Sequence, residues 1–130
     1  MWITSLDSTH RSTMLVDAAI EILIEPRTSE TRHFAVIRVT VPPAAAMPRH
    51  SHGDSEALLI PLDGELLLVS GYGCVERLVS GMLATIAAHE RISVENHTAQ
   101  PASMLVCFAP PAFLETLAAV PTAAVNGASC

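Results

Sequence analysis

The chain is short of aromatic residues, with one Trp, one Tyr and three Phe among 130 positions. Packing must therefore fall to Ile, Leu, Val, Ala and Met, and half of the chain is hydrophobic. Charged residues make up only 15%, which excludes a disordered polyampholyte and favours a compact globule. Seven basic residues face thirteen acidic ones, for a net charge of −6, and no Lys/Arg cluster occurs. Nucleic-acid binders usually present a basic patch or stripe, so that class of partner is excluded. No apolar run approaches the roughly 18 residues that suggest a membrane span. Residues 1–7 lack the basic stretch and apolar core of a secretory signal. The expectation is a cytoplasmic protein with neither a nucleic-acid nor a membrane partner.

Cysteine is equally sparse. Cys74, Cys107 and Cys130 form an odd set with no C-x-x-C spacing, which excludes a disulfide framework and a zinc knuckle. Cys74 and Cys107 lie in apolar stretches and are expected to be small buried hydrophobes, with Cys130 free at the end. No nucleophile stands beside a recognisable base, and no glycine-rich phosphate loop is present. Acyl-transfer and kinase-like chemistry have no support.

The dominant pattern is alternation with period two. Ile20, Ile22 and Ile24 fall on one face with Glu21 and Glu25 on the other; Ala35, Ile37, Val39 and Val41 repeat the pattern. Successive side chains of a strand point to opposite faces, so these segments read as half-buried strands. Further strands are expected over 57–62, 65–70, 75–79, 82–87, 91–96 and 104–108. Turn residues separate them at Pro42-Pro43, Gly53-Asp54-Ser55, Asp63-Gly64, Gly71-Tyr72-Gly73, Ser80-Gly81 and Ala99-Gln100-Pro101. Short strands with regular turns predict an all-β sandwich or barrel. Only 110–120 reads as a helix, started by Pro110-Pro111 and carrying Phe113, Leu114, Leu117 and Val120 at helical spacing. The length suits one domain, placed at 1–120 with its core at about 30–117, and 121–130 is expected to be a loose tail.

The chemistry concentrates in Met47-Pro48-Arg49-His50-Ser51-His52-Gly53-Asp54-Ser55-Glu56. On a strand His50 and His52 project to the same face and can converge on one point. A Gly-Asp-Ser turn then starts the next strand, where Glu56 can return a carboxylate. Two imidazoles and one carboxylate form a set suited to Fe(II), Mn(II), Ni(II) or Zn(II). Their alternative is a hydrogen-bonded pair in a polar pocket, with Glu56 solvated at a strand start. Met47, Met82 and Met104 are expected in the core or along an apolar pocket. His10 and His33 are isolated and read as surface residues, as does Arg49.

These residues resemble the cupin superfamily, whose first motif reads G-x5-H-x-H-x3,4-E-x6-G and whose second reads G-x5-P-x-G-x2-H-x3-N. The resemblance covers about residues 36–117. It implies an all-β, jelly-roll barrel of two antiparallel sheets with a short C-terminal helix. It also implies a divalent metal held inside the barrel by His50, His52 and Glu56. Ala44 stands where the leading glycine belongs, and Gly64 comes one residue late after Glu56, which predicts a bulge near Pro61. In the second motif Gly81 and Asn96 keep their spacing, but Ala87 replaces the proline, His89 the second glycine and Ile92 the metal histidine. His89 or, less favourably placed, His97 would have to substitute. Asn96 reads as a structural hydrogen-bonder. The resemblance further implies a homodimer through edge strands, with residues 20–25 contributing.

Two classes of function remain open. The H-x-H…E set favours a metal-dependent enzyme of dioxygenase, isomerase or lyase type acting on a small organic substrate. Ile92 favours a non-catalytic module that binds or senses a small molecule. Fold cannot choose between them.

Overall fold

The computed structural model describes residues 1–9 and 11–114. Among these residues, ten antiparallel strands form two sheets: β1 (Arg11–Leu15), β2 (Ala18–Ile24), β3 (Ala35–Val41), β4 (Ala46–His50), β5 (Glu56–Asp63), β6 (Glu65–Ser70), β7 (Val75–Val79), β8 (Ala84–Ile86), β9 (Ile92–Glu95) and β10 (Ala102–Ala109). One sheet has the order β1-β2-β3-β10-β5-β8 and the other β4-β9-β6-β7. This is the two-sheet, all-β barrel expected. The expected helix is seen only in its first residues, 112–114; the rest of it, the tail at 121–130, Cys130 and His10 lie outside the described residues. Among those described, no helix is long and apolar enough to cross a membrane.

Alternation builds the core. Ala35, Ile37, Val39 and Val41 of β3 are buried while Val36, Arg38 and Thr40 between them are half-buried. Facing β3 across the ladder, Ala102, Met104, Val106 and Phe108 of β10 are buried in the same rhythm. Leu66, Leu78, Ile92 and Val94 supply the opposite wall. Burying one such aliphatic side chain contributes roughly 1.5–3 kcal/mol, so the sparse aromatic content is no obstacle to a stable core.

Several local expectations are corrected. In β2 the alternation holds only to Ile22: the register with β3 slips between Ile22 and Ile24, inserting Leu23. The bulge reverses the facing, so Leu23 and Glu25 are buried and Ile24 is only half-buried. Glu25 is fully buried, and Arg11 of β1 holds its carboxylate through two bonds of 2.9 and 2.7 Å. β2 is also not an edge, because β1 and β3 flank it, so residues 20–25 cannot offer the free edge expected for a homodimer. Cys74 is exposed beside the β6–β7 turn and Cys107 is half-buried on the outer side of β10, so neither is a core hydrophobe. Met47 and Met104 are core residues, whereas Met82 is exposed. The bulge expected near Pro61 is present where Ser103 pairs Asp63 but Met104 pairs Pro61.

β1 had no clear sequence signal, and β4 was expected only as the strand that carries the two histidines. β1 forms a hairpin with β2. β4 contains Pro48, which lacks the N–H a central strand needs, and it lies at the edge of the four-stranded sheet. Asn96 follows β9, the strand beside β4: its side-chain nitrogen donates to the carbonyls of Val41 (3.0 Å) and Gln100 (2.7 Å), and its oxygen accepts from Thr98. It is 1% exposed, the structural role expected.

Backbone conformation preserves a trace of the glycines missing from both motifs. Ala44 (φ 58°) and His89 (φ 65°) occupy the left-handed region. A Cβ there costs roughly 1–2 kcal/mol, and glycine's greater unfolded-chain entropy offsets about 0.4–1 kcal/mol of any relief. Ala44→Gly and His89→Gly should each raise the unfolding free energy by about 0.5–1 kcal/mol, measured by urea denaturation. Gly64 is the converse: φ is +76° and a Cβ would stand 2.8 Å from Ala102 Cβ and the Pro101 carbonyl. Gly64→Ala should cost more than about 2 kcal/mol in the same assay. A neutral result at all three positions would refute this backbone reading.

Candidate functional site

His50 ends β4 and His52 follows two residues on, so both rings turn into the barrel. They are 8% and 4% exposed. Their Nε2 atoms approach to 3.2 Å, with ring centroids 5.0 Å apart and planes at 75°. His50 Nδ1 lies 2.7 Å from the Pro48 carbonyl, an acceptor, so this nitrogen carries the proton and donates. His50 Nε2 is then a bare lone pair. The contact with His52 is a hydrogen bond only if His52 Nε2 carries its proton and donates. That assignment leaves His52 Nδ1 without a proton, and this buried atom has no hydrogen-bond partner among the described residues.

Two phenylalanine rings pack against His52. His52 packs against Phe108 of β10 (centroids 5.1 Å, 58°) and Phe113 of the terminal helical turn (5.1 Å, 79°), and the two phenylalanines lie 5.3 Å apart. The turn is anchored from the His-bearing segment: buried Ser55 donates its hydroxyl to the Pro110 carbonyl at 2.6 Å. Burial pushes the His50 pKa down, opposed by the Pro48 hydrogen bond. Burial, and secondarily the neighbouring His50, push His52 down to about 3. Both imidazoles are thus neutral at pH 7.

The structure brings the two histidines together but not Glu56. That carboxylate is exposed, and the neighbour turned into the barrel is Ala57, 4% exposed. Counting back from Gly64 through the six residues the first motif requires also reaches position 57, so the carboxylate position holds a methyl group. Ile92, opposite His50 in the β4–β9 register and 2% exposed, fills the other ligand position. The substitutes do not reach inward. His89 is 70% exposed and pairs with Asp54 at 2.8 Å, while His97 is 65% exposed and pairs with Glu95 at 2.6 Å. His89 nonetheless fastens this end of the barrel, since its backbone N–H donates to the Gly53 carbonyl at 2.9 Å.

The donor set can be weighed against a divalent ion. Two nitrogens 3.2 Å apart lie close enough to share one ion through bonds of about 2.1 Å. Catalytic zinc sites, for comparison, typically draw three protein ligands. Among the described residues no group of three or more His, Cys, Asp or Glu side chains is placed to hold an ion. Two imidazoles flanked by Ala57, Ile92 and two phenylalanines do not fit the family's metal centre. Phe108 was legible from the alternation of β10; Phe113 and Ser55 carried no signal of their role in the sequence.

Comparisons with known proteins agree with this architecture. The family profile described as Cupin domain matches residues 37–108. Among solved structures, TT1209 from Thermus thermophilus is 25% identical, with a TM-score of 0.68 over 85% of this chain and 99% of that one. A predicted oxalate decarboxylase from Thermotoga maritima is 16% identical, with a TM-score of 0.70 over 85% and 99% of the two chains. The polyketide cyclase RemF from Streptomyces resistomycificus is 18% identical, with a TM-score of 0.73 over 84% and 79%. No curated protein sequence matches the chain.

The depressed His52 pKa has a measurable consequence. In the unfolded chain this ring takes its proton near pH 6.5, in the folded chain only near 3. Between those values the unfolded state binds more protons, so stability is full above about pH 6.5 and falls as the pH drops toward 3. The slope from one such group reaches about 1.4 kcal/mol per pH unit. Urea unfolding at about pH 7.5 and about pH 5.5, above the carboxylate range, should show His52→Leu losing about 1 kcal/mol less than wild type. Identical pH dependence in both proteins would contradict the buried, neutral assignment.

Proposed function

Since the chain belongs to the cupin family, matching its profile over more than half its length, we propose that it binds a small organic molecule without holding a metal ion. The carrying observation is the replacement of two inward-facing ligand positions by Ala57 and Ile92, with Glu56 outside. A neutral His50–His52 pair then remains as the polar feature of an apolar interior. Ligand pockets are commonly apolar with a few placed polar groups, and this interior has that character. The neighbours described as a predicted oxalate decarboxylase and a polyketide cyclase name two unrelated activities on one fold, so the reading rests on the site itself. The net charge of −6 is consistent with an organic ligand and no nucleic-acid partner.

Metal content tests the reading directly. Wild type, expressed with Mn, Fe, Ni and Zn supplied, should contain no stoichiometric metal, as should the His50→Ala/His52→Ala variant. Restoring the missing donors with Ala57→Glu and Ile92→His should create a chelating site, raising affinity for added Zn(II) or Mn(II) at least about tenfold. Circular dichroism establishes that each variant keeps its strand signal. Stoichiometric metal in wild type, lost in the double-alanine variant, would reverse the proposal.

A further inference from the structure

The unpartnered nitrogen of His52 specifies what kind of molecule the barrel takes. His52 is 4% exposed, and its Nδ1 is the buried side-chain polar atom without a partner among the described residues. With Nδ1–H of His50 committed to the Pro48 carbonyl and Nε2–H of His52 committed to His50, this nitrogen is an acceptor. A buried polar atom left unpaired costs about 1–3 kcal/mol, so a donor brought to it gains more than one offered at an exposed site. We infer that His52 Nδ1 receives the O–H or N–H of a small, flat, uncharged ligand of the phenol or azole type. The inference rests on the metal-free reading above.

Shape and charge narrow the class. His52 lies against both phenylalanine rings, which themselves stand 5.3 Å apart. A planar molecule is the shape that aromatic walls accommodate, by offset or edge-to-face contact. Among the described residues, the buried polar and charged ones are Glu25, His50, His52, Ser55 and Asn96, and none is Lys or Arg. A carboxylate or phosphate would lose its water there with no cation to replace it. Phe113 is half-buried, whereas Phe108 is buried within β10. The Ser55–Pro110 hydrogen bond holds the segment that leads to Phe113.

The experiment uses the full chain labelled with 15N at histidine. In the free protein, His50 should show a protonated Nδ1 and His52 a protonated Nε2. Phenol is then titrated beside anisole, which lacks the donor, and benzoate, which carries a charge. Phenol should shift the His52 Nδ1 resonance saturably, and anisole and benzoate should bind at least about tenfold more weakly, the factor one buried hydrogen bond supplies. His52→Phe, chosen to keep the ring volume, should abolish the preference for phenol over anisole. Equal responses to phenol and anisole, or none to phenol, would overturn the ligand class and leave the metal-free reading standing. Protonated Nδ1 on both rings together with stoichiometric metal would instead bring down the reading beneath it.

Discussion

Two uncharged imidazoles facing each other across 3.2 Å, in an interior otherwise almost free of polar groups, constrain everything around them. Charging either ring there would require desolvation without a counter-ion, so the pair stays neutral and shares one proton. That proton orders the whole chain of contacts. The Pro48 carbonyl fixes His50, His50 fixes His52, and the last nitrogen is left unanswered. The fold supports this arrangement by geometry: β4 ends at the first ring, and an extended step of two residues delivers the second to the same side.

Family membership and site chemistry diverge here, and the divergence is local. The barrel retains Asn96, whose hydrogen bonds tie β9 to the carbonyls of Val41 and Gln100. It also retains the left-handed backbone at Ala44 and His89, where the family pattern has glycine. The frame therefore persists at positions whose residues have changed. At two ligand positions of the family pattern, by contrast, the side chains are Ala57 and Ile92. Donors can be lost from a rigid sheet without disturbing its hydrogen-bonded ladder, since ladders use main-chain atoms.

Period-two alternation made much of this legible before any coordinates. β3, β5, β6, β7 and β10 announce themselves through alternating or apolar runs, and the turns between them carry glycine, proline or aspartate. The limits have physical causes. A bulge at Leu23 switches the facing of β2 through main-chain geometry that no side-chain pattern displays. β4 was readable from its H-x-H spacing despite its proline, which is tolerated because the strand is peripheral. At the site, the H-x-H pair was readable, but the motif's spacing of three or four residues left the carboxylate ambiguous. Gly64 held the answer, since counting from it selects position 57 over Glu56. Phe113 and Ser55 were beyond reach, because their roles depend on a contact between segments 55 residues apart in the chain.

Pro48 carries one more implication. It has no amide hydrogen to offer, and its carbonyl already accepts from His50, so the outer margin of β4 is muted at that residue. A sheet grows by zipping donors and acceptors along an open border, and here the border is interrupted beside the imidazoles. The same residue that sets the tautomer of the interior thus discourages another chain from templating onto the strand that bears it. One pyrrolidine ring serves the chemistry inside and guards the margin outside.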